Sequence, residues 1–409
     1  MSESAVDLMA PATLSDMVPE YASLREQGPL VQVAFPGYRN PIWIITGYED
    51  VKAALRDPRF VVDQRNVPSL EGPGMVDQMI AVFGLAPEYR DYLLGMVFMD
   101  GKNHARLRNL VTPAFALRRI STLRPRLEHI MAELIAPLLD KPEADLIEDF
   151  TAPLAGAIIC ELIGVDEADR PQMLGWIRDQ ANEDPARRAA GVQGMVAYIK
   201  ELIERRRVRP ADDVITELIK ARDADSDRLT ETEMVAMVLL LINSGHHTTT
   251  HFIANSALTL LEHPDQLDRL RAEPELMPRA IHELLRVANV LPLSTPMYAA
   301  EDMEFRGVQI KEGDVVTGAL LGANYDPEAF ADPERFDLTR EPGRAETHVA
   351  FGHGPHYCLG AALARLEGEI AIEQLFLRDK TLSLAVARED LKFRPHPGGS
   401  LLVQLPVRF

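Results

Sequence analysis

Two stretches of this chain put reactive side chains where ordinary structural residues would serve. In AFGHGPHYCLGAALARLE, Cys358 follows a glycine-rich loop and opens an amphipathic helix, LGAALARLEGEIAIEQLF. A thiolate at that position gains from the helix N-terminus and from loop N–H groups aimed at sulfur. Gly354 and Gly360 permit backbone turns and the close approach of a flat group. Taken alone, a cysteine beside a turn is more often buried and inert. The second stretch, INSGHHTTTH at 242–251, sets a glycine, three histidines and three consecutive threonines inside an apolar helical pattern. His247 and His251 stand at i,i+4, as the two histidines of a zinc-binding H-E-x-x-H do. That motif needs its glutamate, which is absent, and no third ligand is evident nearby, so zinc is disfavoured. A proton relay and a polar piece of core remain.

The elements that must position these residues can be read in outline. Thr230 and Glu233 form a capping box ahead of an apolar run, and the helical pattern continues to Glu262 before His263 and Pro264. The helix so predicted has about 32 residues and a length of roughly 48 Å. Gly245 in its middle costs roughly 1 kcal/mol relative to alanine. Ser244 and Thr248 beside it can bond backbone carbonyls, so a local opening of the helix is expected there. Near the N-terminus, LVQVAF and PIWIITG read as strands joined by the turn PGYRN. From Val62 to Phe98 a long loop with one short helix is expected, and such loops are usually functional. Helical patterns dominate from Asn103 to Glu262, broken at ANEDPARRAAG and RVRPADD. The last third mixes helices with strand-like pieces, MEFRGVQI and DVVTGALLG. The class is mainly α with a smaller β part, in a single domain over 1–409.

Composition narrows the functions. The 409 residues are 46% hydrophobic and carry a net charge of -19, which disfavours a nucleic-acid or anionic-membrane partner. Two cysteines, Cys160 and Cys358, form no disulfide framework and no paired zinc spacing. A secretory signal and a membrane-length apolar run are both missing, so a cytoplasmic location is expected.

Phe351, Gly354, His356, Cys358 and Gly360 fall in F-x-x-G-x-x-x-C-x-G spacing, which resembles the haem-binding loop of the cytochrome P-450 family of haem-thiolate monooxygenases. Three more motifs come in the family's order. HELLR supplies Glu283 and Arg286, DPERF supplies Arg335, and NHARLR supplies His104 and Arg108. The resemblance implies the cytochrome P-450 fold, with haem b (iron protoporphyrin IX) between a long distal helix and the proximal cysteine-loop helix. It implies Cys358 as the axial thiolate, which pushes electron density toward iron. His104, Arg108 and His356 are the implied propionate partners, and Phe351, Gly354 and Gly360 shape the loop. Glu283, Arg286 and Arg335 are implied to form a buried ion network. The family's propionate-gripping arginine, eleven residues past the helix arginine, is replaced by Met297, so Tyr298 or another donor must take that load.

The same resemblance makes 242–251 the oxygen-binding segment of the distal helix, where the usual run is small residue, glycine, any residue, acid, threonine. Here it reads Ser244, Gly245, His246, His247, Thr248. The acid has become His247, a group able to accept and donate near neutral pH, and it is read as a modified proton relay. His246 and His251 are read as packed helix-face residues. The implied pocket is lined by the loop around Met75 to Phe83, by Leu240, Leu241, Ser244, Val290 and Leu291, and by residues near Ser400 and Leu401. Asp166 to Arg206 resembles the family's substrate lid.

These residues imply a small-molecule apolar substrate, a polyketide, macrolide, terpenoid or peptide intermediate that is hydroxylated or epoxidised by a monomer. Electrons would come from a separate ferredoxin and ferredoxin reductase. Residues 99–128 hold Lys102, Arg106, Arg108, Arg118, Arg119, Arg124 and Arg126 against Asp100 and Glu128, the best docking patch for an acidic partner. A peroxide-driven, cyclising or coupling haem enzyme is the alternative, and a non-catalytic haem sensor a third.

Overall fold

The structure is a computed structural model that describes residues 17–409 except 36, 37, 39, 225–228, 342–346, 379, 380 and 397. Part of the expected PGYRN turn and all of residues 1–16 therefore lie outside the described residues. The chain packs as two compact units. One comprises Met1–Leu70, Met131–Thr151 and Thr250–Phe409; the other Glu71–Ile130 and Ala152–Thr249.

The first unit carries the main sheet. The two strands expected near the N-terminus form as Leu30–Val33 and Ile42–Ile45, antiparallel, with Leu30 opposite Ile45 and Val33 opposite Ile42. Val315–Gly318 joins Ile42–Ile45 in parallel, then Met297–Ala299 and Phe60–Val61 complete the five strands. Ile42, Ile44, Ile45, Val316 and Ala299 are fully buried, which fits the near-continuous apolar run of a strand covered on both faces. The strand-like MEFRGVQI folds on itself as a hairpin, Met303–Phe305 with Val308–Ile310. DVVTGALLG is a strand only as far as Gly318; Leu320–Asn324 is a helix.

Helix Met277–Val287 starts at a proline and buries Ile281 and Leu284 beside Glu283 and Arg286. Helix Ala361–Ile372 follows Cys358 and approaches Phe252 closely at Gly368, where a Cβ would lie 2.7 Å from the ring. Only glycine fits there.

The second unit is helical. The predicted long helix forms as Glu231–Glu262, 32 residues, contributing its portion up to Thr249 here and the remainder to the first unit. Its capping box is reciprocal: the Glu233 N–H donates to Thr230 Oγ1 at 3.1 Å, and the Thr230 N–H donates to Glu233 Oε2 at 2.8 Å. The helix is unbroken at Gly245, so the expected opening does not occur. Instead Gly245 lets a neighbour in, since a Cβ there would meet Ile159 at 2.8 Å.

Two further expectations are corrected. The stretch from Val62 to Phe98 is more helical than predicted, with Met75–Phe83 and Arg90–Leu93 as α-helices and three short 3₁₀ turns. Asp77 accepts the Gly74 N–H at 2.9 Å, and Gly84 closes the helix in the left-handed conformation. The break at ANEDPARRAAG is confined to its first four residues. Asp184 caps the Ala186 N–H at 2.9 Å and helix Pro185–Val208 begins at once, because proline is well suited to a first helical position.

Candidate active site

On the cysteine side, the backbone from Phe351 to Gly360 is shaped by two glycines with positive φ, Gly352 at 69° and Gly354 at 72°. A Cβ at Gly354 would fall 2.3 Å from the Leu55 carbonyl oxygen, so no other residue is accommodated there. The Cys358 N–H donates to the Phe351 carbonyl at 2.9 Å, closing the loop on itself. At Gly360 a Cβ would meet nothing nearer than the Cys358 Sγ at 3.9 Å, which leaves bare backbone beside the sulfur. Cys358 is partly exposed, unlike Cys160, which is fully buried with its pKa pushed up to about 12 by that burial. His356 sits in the 3₁₀ turn Gly354–His356, and the Phe351 ring meets Tyr357 edge-on.

The donor set can be tested against a haem. Among the described residues no group of three or more histidines, cysteines and carboxylates could hold a metal ion. The bare backbone at Gly360 beside the Cys358 sulfur suits a flat group such as an iron porphyrin, which carries its own in-plane ligands. The residues fit.

Behind the loop, Glu283 and Arg286 are buried and paired through two bonds, 2.7 and 2.8 Å. Arg286 also donates to the carbonyls of Asn324 and Pro333 at 3.0 and 2.7 Å. The expected third member is corrected. The Arg335 side chain is 66% exposed and faces Asp337 at 3.5 Å, while Arg340 reaches Glu283 at 3.2 Å. Both arginines lie in RFDLTR, and spacing alone could not choose between them.

Met297 is buried in its strand beside Ala299, within the cluster around Ile45, Val316 and Phe330. Tyr298 alternates to the other face, packing with Val61 and Val67. Tyr298 therefore does not replace the missing arginine from Met297's side. Val290 is buried and Leu291 39% exposed, in the segment after helix Met277–Val287. Ser400 and Leu401 sit on strand Gly399–Leu402, paired with Pro395 and Arg394.

In the second unit the 242–251 stretch divides by face. Ser244 is exposed although it sits in mid-helix, and Leu240, His247 and Thr248 are half-buried, whereas Leu241 is buried. Leu240 packs on Gly95, whose Cβ would meet it at 3.1 Å. The Thr248 hydroxyl donates to the Ser244 carbonyl at 2.5 Å. His246 points the other way, near Gly156, bonded to the Ala152 backbone; burial is the main reason its pKa falls to about 4. It is a neutral packing residue, as expected. His251 is buried.

His104 is buried and Arg108 half-buried on helix Gly101–Val111, one turn apart on one face. The pocket loop around Met75 to Phe83 is in fact a helix, with Val82 62% exposed. Arg188 ties it down, donating to the Val82 carbonyl at 2.9 and 3.1 Å and to the carbonyls of Asn182 and Glu183. The basic run is less open than its sequence suggests. Arg106 pairs with Glu233, Arg119 with Asp212, Arg124 with Glu128 and Arg126 with Glu161, while Lys102, Leu117 and Arg118 are exposed.

A thiol loop followed by a helix, a buried Glu–Arg pair behind it and a long capped helix bearing Ser244 to Thr248 define a haem-thiolate protein. The chain belongs to the cytochrome P450 family: the description "Cytochrome P450" matches residues 172–404. It is 42% identical to Cytochrome P450 107B1 of Saccharopolyspora erythraea, over 90% of this chain and 89% of that one. It is 38% identical to 6-deoxyerythronolide B hydroxylase of the same organism, over 98% of each. The solved structure of the ligand-free P450 monooxygenase TamI superposes with a TM-score of 0.85 and 38% identity, over 98% of this chain and 93% of that one. The chain is thus an oxidoreductase with haem b as cofactor and an apolar small molecule as substrate. Among the described residues no helix is long and apolar enough to cross a membrane.

Proposed function

We propose that this chain is a monooxygenase that hydroxylates or epoxidises a medium-to-large apolar natural-product intermediate of the polyketide or macrolide kind, with electrons from a separate ferredoxin. The observation that carries this reading is Cys358: a partly exposed thiol between positive-φ glycines and a helix N-terminus, beside bare backbone at Gly360. The kinship with 6-deoxyerythronolide B hydroxylase supports the substrate class. Haem bound there, with a thiolate ligand, supplies activation of dioxygen for oxygen insertion.

The chain's own residues do the rest. Cys358 Sγ would hold the haem iron. His104, Arg108 and His356 offer cationic or N–H donors to the propionates. Leu240 and Leu241 in one unit, and Val290 and Leu291 in the other, offer apolar side chains, and the exposed Ser244 offers a polar handle. Thr248 keeps its hydroxyl hydrogen on the Ser244 carbonyl, so Oγ1 presents lone pairs and accepts. His247 holds a proton on a ring nitrogen next to that acceptor in sequence and passes it on. Lys102, Arg118 and the apolar Leu117 form the accessible part of the ferredoxin patch. Screening macrolactones, other polyketides and peptides for displacement of the ferric iron's sixth ligand in the Soret band tests this reading. A protein that responds to none of them but does respond to terpenoids would overturn the substrate class.

The histidine at 247 favours one second reading, a haem-thiolate enzyme driven by peroxide or performing cyclisation or coupling. Comparing turnover with reductase partners against turnover with peroxide separates the two.

A further inference from the structure

Two histidines that the proposed reaction does not use lie end to end behind the cysteine loop. His282 is half-buried on helix Met277–Val287, next to Glu283, and His348 is buried three residues before Phe351. His282 Nδ1 and His348 Nε2 are 3.4 Å apart. On its other nitrogen, His348 Nδ1 accepts the Ala350 N–H at 3.3 Å. A neutral imidazole with one accepting nitrogen carries its hydrogen on the other. His348 is therefore the Nε2–H tautomer, and the hydrogen it donates is received by a bare Nδ1 of His282. His348 stays neutral: burial, and then the nearby His282, Arg365 and Arg286, push its pKa down to about 3. Glu283, the remaining charged neighbour on that helix, is taken up by Arg286 and Arg340.

The contacts then run toward sulfur. The His348 ring lies 5.8 Å from that of Phe351, centroid to centroid, and the Arg365 guanidinium sits 5.4 Å from the Phe351 centroid. The Phe351 carbonyl in turn accepts the Cys358 N–H. The outer links are hydrogen bonds and the middle one is a ring contact, and the first is anchored on a helix that also carries the buried Glu283–Arg286 pair.

We propose that His348, held in one tautomer by His282, is the positioning residue for Cys358, fixing the loop through Ala350 and Phe351. This rests on the reading of Cys358 as the haem ligand. A helix-anchored acceptor keeps the His348 ring from turning, and a ring that cannot turn keeps the Phe351 carbonyl aimed at the Cys358 N–H. Losing the acceptor removes that bond and loosens the chain.

The test uses the purified haem-loaded enzyme in its ferrous–CO form. Histidine-labelled protein should give a His348 spectrum with the hydrogen on Nε2, in the wild type and in His282→Gln, whose amide oxygen replaces the acceptor. In His282→Phe, and in His348→Phe, the red-shifted CO band should decay to the blue-shifted form roughly five- to thirtyfold faster, the factor expected for losing a buried hydrogen bond. His282→Gln should decay near the wild-type rate. Tyr21→Phe removes a buried bond to the Gly398 carbonyl elsewhere in the same unit, and should lower thermal stability without changing the decay. A His348 hydrogen on Nδ1, or equal decay in His282→Phe and Tyr21→Phe, would overturn the proposal. Failure of the ligand reading would show differently, as a red-shifted band that survives in Cys358→Ser.

Discussion

Arg340 and Arg335 stand five residues apart, yet only one of them reaches the buried carboxylate of Glu283. Removing Arg340 leaves that carboxylate with Arg286 and the Asp337 N–H, and we expect Arg340→Ala to cost about 1–3 kcal/mol in denaturant unfolding. Arg335→Ala should stay within about 0.5 kcal/mol, because its side chain is exposed; the reverse order would restore the sequence-based assignment. Cys358 is the ligand if Cys358→Ser loses the red-shifted ferrous–CO band while Cys160→Ser keeps it. His247 decides between two roles. If it relays protons, His247→Ala should lower coupling by roughly 10²–10⁴-fold at most, with substrate affinity intact, and His247→Glu should keep or raise coupling. If it binds the substrate, both variants should chiefly raise the dissociation constant. Wild-type coupling and affinity in His247→Ala would remove it from the site.

The long helix shows what an element adds to its residues. Thr230→Ala removes one arm of the capping box and should cost about 1 kcal/mol. Glu233→Ala should cost more, because Glu233 also pairs with Arg106. Equal losses in thermal melts would mean that the ion pair contributes nothing. This helix was legible in full, both ends and all, since its cap, its apolar run and its stop are local signals. The behaviour of Gly245 was not. Sequence shows only that glycine weakens a helix, whereas Ile159, 86 positions earlier, determines that the missing Cβ serves close packing. The same limit hid Arg340 and the His282–His348 pair, whose partners are distant in sequence. The helices within Val62–Phe98 were missed for another reason: they are short, and glycines that read as loop residues in fact cap one of them. The cysteine loop was readable because its chemistry sits within ten consecutive residues.

Across the whole molecule, protons couple the units' stability to pH in two stages. His246 in one unit and His348 in the other are held neutral, with pKa values moved from 6.5 to about 4 and about 3. Below pH 6.5 the unfolded chain binds protons at these sites that the folded chain refuses, so stability falls as pH drops from about 6.5 toward 4 and levels off beneath the folded values. The ion-paired carboxylates act lower. Glu161, Glu231 and Glu233 lie below their ordinary 4.5, and Asp57, Asp77, Asp149 and Asp169 below 3.8, despite partial burial that pushes several of them up. Their contribution is present above those ordinary values and is lost as pH falls through the depressed ones. Net charge works against the first stage, because the -19 self-repulsion fades as the pH approaches the isoelectric point near 5.1. The wild-type slope alone therefore understates the histidine effect, and a variant must isolate it. His246→Gln removes one titrating site while leaving the global charge at pH 7 unchanged. Denaturant unfolding at pH 7.5, 6, 5, 4 and 3 should show a shallower loss in His246→Gln than in the wild type, with the two curves running parallel below pH 4. An identical slope between pH 6.5 and 4.5 would mean that His246 is protonated alike in both states, and that its place against the Ala152–Ile163 helix is open to water.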